Sequence, residues 1–156
     1  MTTSDGRDES PAARADRNWN DLLQELRVTE TGLQVLFSLL LTVPFSARFE
    51  EVTAFQRQVY FAALVLAAAA NVVLIAPVAY HRLLFAKGEK ARLVRQASRL
   101  ALTGLVLLVL GITCVLLLVS DVLFGSVVAT AVATVFGLST VLLWLGPPLV
   151  RRARDR

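Results

Sequence analysis

The sequence predicts an all-α fold, a polytopic membrane bundle of four transmembrane helices preceded by an amphipathic helix. Three observations carry this. Apolar residues make up 56 % of the 156-residue chain. They gather into blocks, at about 32–47, 59–80, 100–120 and 122–150, instead of recurring at the period of a soluble helix. Each block approaches or exceeds the about 20 helical residues needed to cross about 30 Å of hydrocarbon. Arginine and lysine fence the blocks and are almost absent inside them. The mean hydropathy of +0.63 agrees.

Residues 1–17 (MTTSDGRDESPAARADR) hold no apolar side chain larger than alanine beyond Met1. Such a segment buries too little surface to offset its ordering entropy, so a disordered cytoplasmic tail is expected there. It has no apolar core or small-residue cleavage site of a signal peptide, which leaves the first span as the uncleaved insertion signal. From Asn18 the pattern changes. Trp19, Leu22, Leu23, Leu26 and Leu33 recur at helical spacing, with Asp21, Gln24, Glu25 and Arg27 opposite. This is the amphipathic helix, lying at the interface or running into span one. The membrane domain occupies 18–150, and 151–156 is a short basic tail.

The connections follow from turn residues and anchors. Pro44 opens the outer turn PFSARFEE, where Phe45, Phe49 and Phe55 suit interfacial anchoring. The inner loop HRLLFAKGEKARLVRQASR turns at Lys87-Gly88-Glu89, with amphipathic flanks along the headgroups. Spans three and four meet in a near-minimal hairpin at Ser120-Asp121, with Asp121 as its cap. Pro147-Pro148 is expected to end the last helix before the arginines.

Charge placement orients the chain. Basic residues number four before span one, two between spans one and two, six between two and three, none between three and four, and four at the end. With both termini cytoplasmic, fourteen lie inside and two outside. The net charge of +4 and pI near 10.0 are therefore read as contacts with anionic headgroups at the inner face, not with nucleic acid.

Few side chains carry chemistry. With Arg27 as the inner boundary, Glu30 stands about 4.5 Å deep and Gln34 about 10 Å deep by helical rise. Glu30 reads either as a proton-carrying carboxylate or as the rim partner of Arg27, His81 or Arg82. His81, the only histidine, reads as a pH-responsive group or as an interfacial residue beside a snorkelling Arg82. Asn71, near the middle of span two with Ala63, Ala67 and Ile75, reads as an interhelical hydrogen bonder or as a substrate ligand. Glu30, Gln34, Asn71, His81 and Arg82 thus form the candidate polar path.

In span four, Gly125, Ala129, Ala133 and Gly137 repeat at four-residue spacing, beside Ser126, Thr130 and Thr134. Both stripes suit close helix packing, onto another span such as Gly104 and Gly111 of span three, or onto a second copy. Cys114 is the only cysteine, so no intrachain disulfide can form, and no cluster has metal-ligand spacing. With no nucleophile elbow, phosphate loop or paired carboxylates, neither an enzyme nor a cofactor is expected.

Three stretches carry a resemblance: LLQELRVTETGLQVLFSLLLTVPF, FQRQVYF and IAPVAYHRLLF. They resemble a family of small, uncharacterised bacterial four-span inner-membrane proteins, a domain of unknown function, some of whose relatives bear a sodium:proton antiporter label. The resemblance runs from about residue 20 to 99, with mainly hydrophobicity shared beyond. It implies a multi-pass plasma-membrane protein and no catalytic residues. It picks out Glu30, Thr31, Gly32, Gln34, Pro44, Phe45, Gln56, Arg57, Pro77, His81 and Arg82. The antiporter label sits poorly with the residues, because such exchangers need a titrating carboxylate at mid-depth beside broken helices. The expected function is non-enzymatic, through helix association in a homo-oligomer or as an accessory subunit. A small proton-coupled cation exchanger is the alternative.

Overall fold

The computed structural model describes residues 11–84 and 90–154, with side chains at 13, 14, 17–80 and 94–147. Four helices follow in order: α1 (Pro11–Thr42), α2 (Ala54–Leu84), α3 (Lys90–Phe124) and α4 (Ser126–Arg154). Two 3-10 turns, Val43–Phe45 and Ala47–Glu51, join α1 to α2. No strand forms among the described residues. Every helix is long and apolar enough to cross a membrane, over Arg17–Phe45, Ala54–Tyr80, Val94–Phe124 and Ser126–Pro147. The expected all-α, four-span fold is what the chain adopts.

Its punctuation differs from expectation at three places. The segment from Asn18 runs directly into span one, one of its two expected placements, but α1 is continuous from Pro11, and residues 11–17, expected in the disordered tail, form its first turns. Alanine and arginine dominate that stretch and favour helix, and extending a formed helix avoids the cost of nucleation. Residues 1–10 and the turn at Lys87-Gly88-Glu89 lie outside the described residues. The α3–α4 hairpin turns at Gly125, not at Ser120-Asp121. Gly125 takes φ +84°, a conformation that costs glycine nothing and other residues about 1 kcal/mol or more. Lastly, α4 passes through Pro147-Pro148 to Arg154. Proline keeps a helical φ, so what is lost is only its own N–H bond and some clearance at the preceding turn.

Packing follows a seven-residue repeat. Trp19, Leu26, Leu33 and Leu40 are the buried residues of α1. On α2 they are Tyr60, Ala63, Ala67, Ala70, Leu74 and Pro77, alternating three and four apart. On α3, Ala97, Gly104 and Gly111 repeat the spacing. This is the geometry of helices meshing at a shallow left-handed crossing. The small face of α2 lets α3 approach closely. A Cβ built on Gly104 would stand 2.6 Å from Leu74 Cγ, and one on Gly111 3.5 Å from Leu66 Cβ. Gly104 and Gly111 therefore face α2, not α4 as expected.

Helices α1, α2 and α3 all touch one another, with the α2–α3 interface the most extensive. α4 packs on α3 and on no other helix among the described residues. Large apolar side chains such as Val28, Phe61, Val72, Leu102 and Leu142 point outward, while no charged or polar residue among the described side chains is buried. Lipid is the solvent such a surface suits.

The two kinds of glycine should respond differently to the same change. Gly104→Ala forces a methyl into the fully buried Leu74 and should cost about 1–3 kcal/mol. Gly137→Ala meets nothing within 4 Å and should be neutral or slightly stabilising. Unfolding midpoints of the two variants in detergent micelles check the contrast.

Candidate functional site

The helix register is pinned at the end of the bundle that carries the α1–α2 connection, termed the outer end after the orientation that the charges predict. Tyr60 Oη donates to the Leu40 carbonyl at 2.8 Å. Gln56 Nε2 donates to Asp121 Oδ2 at 2.8 Å. Thr53 and Gln56 make a reciprocal capping box at the start of α2, with Thr53 N–H on Gln56 Oε1 at 3.0 Å and Gln56 N–H on Thr53 Oγ1 at 3.2 Å. Phe49 meets the Tyr60 ring edge-on at 5.0 Å, and the Arg57 guanidinium stands 6.0 Å from the Phe49 ring centre. Phe49 is thus a packing residue, while Phe45 and Phe55 are exposed as anchors would be. Asp121 joins α3 to α2 and does not cap the hairpin.

The Tyr60–Leu40 bond lets the depth of the polar residues be read. Glu30 lies ten residues below Leu40 on α1, and Ala70 ten above Tyr60 on antiparallel α2. Glu30 is therefore level with Ala70 and Asn71, about 15 Å from the outer latch by helical rise. Arg27 falls level with Val73, well short of Tyr80 where the apolar span of α2 ends. On that register Arg27 lies beside the apolar part of α2, and Glu30 lies further from the end of that span than the expected about 4.5 Å.

Glu30 and Asn71 share a second property. Both side chains are half-buried. Glu30 Oε1 and Asn71 Oδ1 are each shielded from solvent and accept no hydrogen bond from the described residues. Asn71 Oδ1 thus lacks the cross-helix partner expected for it. Shielded oxygens in a low-dielectric setting are costly, and what relieves them is a proton, a cation or a water. Gln34, one turn along α1 from Glu30, is exposed. His81 and Arg82 lie in the last turn of α2, with side chains outside the described set. Of the five path residues, the register unites two.

The small-residue stripe of α4 is covered within the chain mainly at Ala129. Ala129 is 1 % exposed, Ala133 and Gly137 are half-buried, and Gly125 lies open at the hairpin. The face points at α3, the only helix α4 contacts among the described residues. The parallel stripe of Ser126, Thr130 and Thr134 stays exposed. Thr130 Oγ1 donates to the Ser126 carbonyl at 2.8 Å, within its own helix and not across to another.

Residues 8–148 match a family of unknown function (DUF6328), and the chain belongs to it. No curated protein matches. No solved structure matches. The class defined by fold and family is a four-span membrane protein of the DUF6328 family.

The outer latch was not expected from the sequence, although Thr53-x-x-Gln56 spells a capping box. Leu40 is among the last four carbonyls of α1, which no helical N–H reaches. Tyr60→Phe leaves that buried carbonyl unsatisfied and should cost about 1–3 kcal/mol. Thermal unfolding in micelles, with Phe61→Leu as an outward-facing control, measures it.

Proposed function

We propose that the protein is a non-enzymatic component of the bacterial plasma membrane that works by helix association, with a second copy or with a larger membrane complex. Both termini are taken as cytoplasmic from the fourteen-to-two split of basic residues, an orientation that reporter fusions at either end would test. One observation carries the association reading: α4 packs on α3 alone. Its remaining surface presents Ser126, Thr130 and Thr134 at small-residue spacing. Beside them, Val128, Ala131, Val135, Leu138, Leu142 and Leu145 repeat the three-and-four spacing of the buried helix faces. In lipid, apolar area alone does not drive association; close approach over small side chains does.

Thr130→Leu with Thr134→Leu should weaken association about tenfold, in line with about 1–2 kcal/mol for such contacts. Cross-linking in native membranes reads the change, and a wild-type protein that cross-links to nothing would sink the proposal. Ala129→Leu serves as the contrast, because it separates α4 from α3 within the chain.

A specific observation favours a second reading, a small proton-coupled cation exchanger. It is the level placement of Glu30 and Asn71, each with a shielded, unpartnered oxygen. In inverted vesicles, an exchanger shows sodium- or potassium-dependent collapse of a proton gradient that Glu30→Gln abolishes. The association reading expects no collapse above empty membranes and Glu30→Gln cross-linking like wild type.

A further inference from the structure

The outer end of the bundle carries an open-sided cavity of about 270 Å³ that neither reading uses. Leu40, Phe49, Tyr60, Val115, Leu118 and Val122 supply much of its wall, and its lining is overwhelmingly apolar. Ser46, Arg48 and Gln56 are the polar exceptions besides the Tyr60 hydroxyl. Two of these are engaged elsewhere. Gln56 is held by Thr53 and Asp121, and Ser46 Oγ donates to the Val43 carbonyl at 2.8 Å. Tyr60 Oη is likewise held by Leu40. Arg48 is the only charged residue of the lining and is exposed.

Three properties define the occupant. The volume lies just below the range of about 300–1,000 Å³ for drug-sized ligands, which suits a single chain rather than a ring system. With Ser46, Gln56 and Tyr60 already bonded within the chain, Arg48 is the polar group of the wall that remains for a ligand. The cavity lies where the apolar spans end, at Phe45, Ala54 and Phe124, the depth at which acyl chains meet headgroups. A guanidinium there matches a phosphate, in the geometry that arginine favours.

We propose that this pocket holds one acyl chain of an anionic phospholipid, with its phosphate on Arg48. The bound chain fills the space between the 3-10 turns and α3 and so supports the connection from α1 to α2. This differs from general solvation by lipid in being stoichiometric and headgroup-selective.

The test is native mass spectrometry of the full chain after reconstitution into bilayers of equal phosphatidylglycerol and phosphatidylcholine. Wild type should retain a single phosphatidylglycerol in preference to phosphatidylcholine. Val119→Trp, which fills the pocket from its α3 wall, should lose the retained lipid. Arg48→Gln, a change at an exposed side chain, should retain both lipids equally. Undiminished phosphatidylglycerol retention in Val119→Trp, or an unchanged preference in Arg48→Gln, would overturn the proposal. So would displacement of the phospholipid by added palmitic acid, which would make a free fatty acid the occupant.

Discussion

The close approach of α2 and α3 is the contact on which the rest of the structure depends. A soluble bundle is driven together by removing apolar surface from water, but in lipid the outside is as apolar as the inside. What distinguishes a packed pair of helices there is the number of atoms brought into van der Waals range and the hydrogen bonds that come with it. Ala63, Ala67 and Ala70 on α2 face Gly104 and Gly111 on α3, so the backbones themselves come near. Leu74 then closes over Gly104, and α1 lays its leucines along the same small-residue face. Among the described residues α4 takes its position from α3 alone, whereas α1, α2 and α3 each touch the other two.

The outer latch answers a second demand of the bilayer, that no backbone polar group be left bare. α1 ends where the chain must reverse, and the carbonyls of its last turn have no helical donors. Thr42 Oγ1 covers the Leu39 carbonyl at 2.7 Å, and Tyr60 covers Leu40. At the start of α2, the capping box uses two of the free ends. Gln56 then spends its amide N–H on Asp121, so one side chain both finishes a helix and ties it to the next. A single chemical need produces the cap, the register and, between them, the walls of the pocket.

The four spans were legible because block hydrophobicity and flanking charge need no knowledge of partners. The boundaries were less so. Pro11, Gly125 and Pro147 are ambiguous symbols: proline can open a helix or interrupt one, and only glycine's φ at 125 shows that α3 runs past Asp121. The polar path was read by depth along one helix, with Arg27 as the ruler. Position along the bundle depends on the neighbouring helix as well, and the Tyr60–Leu40 bond sets Glu30 level with Asn71. On α4 only Ala129 of the four-residue stripe is buried, because its partner depends on which face of α3 is already taken. Gly104 and Gly111 were spoken for by α2.

The corrected depth of Glu30 changes the weight of the arguments about function. An interfacial carboxylate is solvated and needs no explanation, whereas one level with Asn71 shields an oxygen that nothing among the described residues satisfies. The helix around it adds no relief: Thr29 and Thr31 turn their hydroxyls back onto the carbonyls of Glu25 and Arg27. Two unsatisfied acceptors at one level are expensive in a bundle whose packing is otherwise built of alanine, glycine and leucine. A purely structural role offers no reason to keep them, since an apolar pair of similar size would pack there at less cost. The association reading explains α4 and leaves this pair unexplained; the exchanger reading explains the pair and leaves the exposed stripe of α4 to assembly. The two readings therefore meet on different helices, and a protein that exchanges ions as an oligomer would use both.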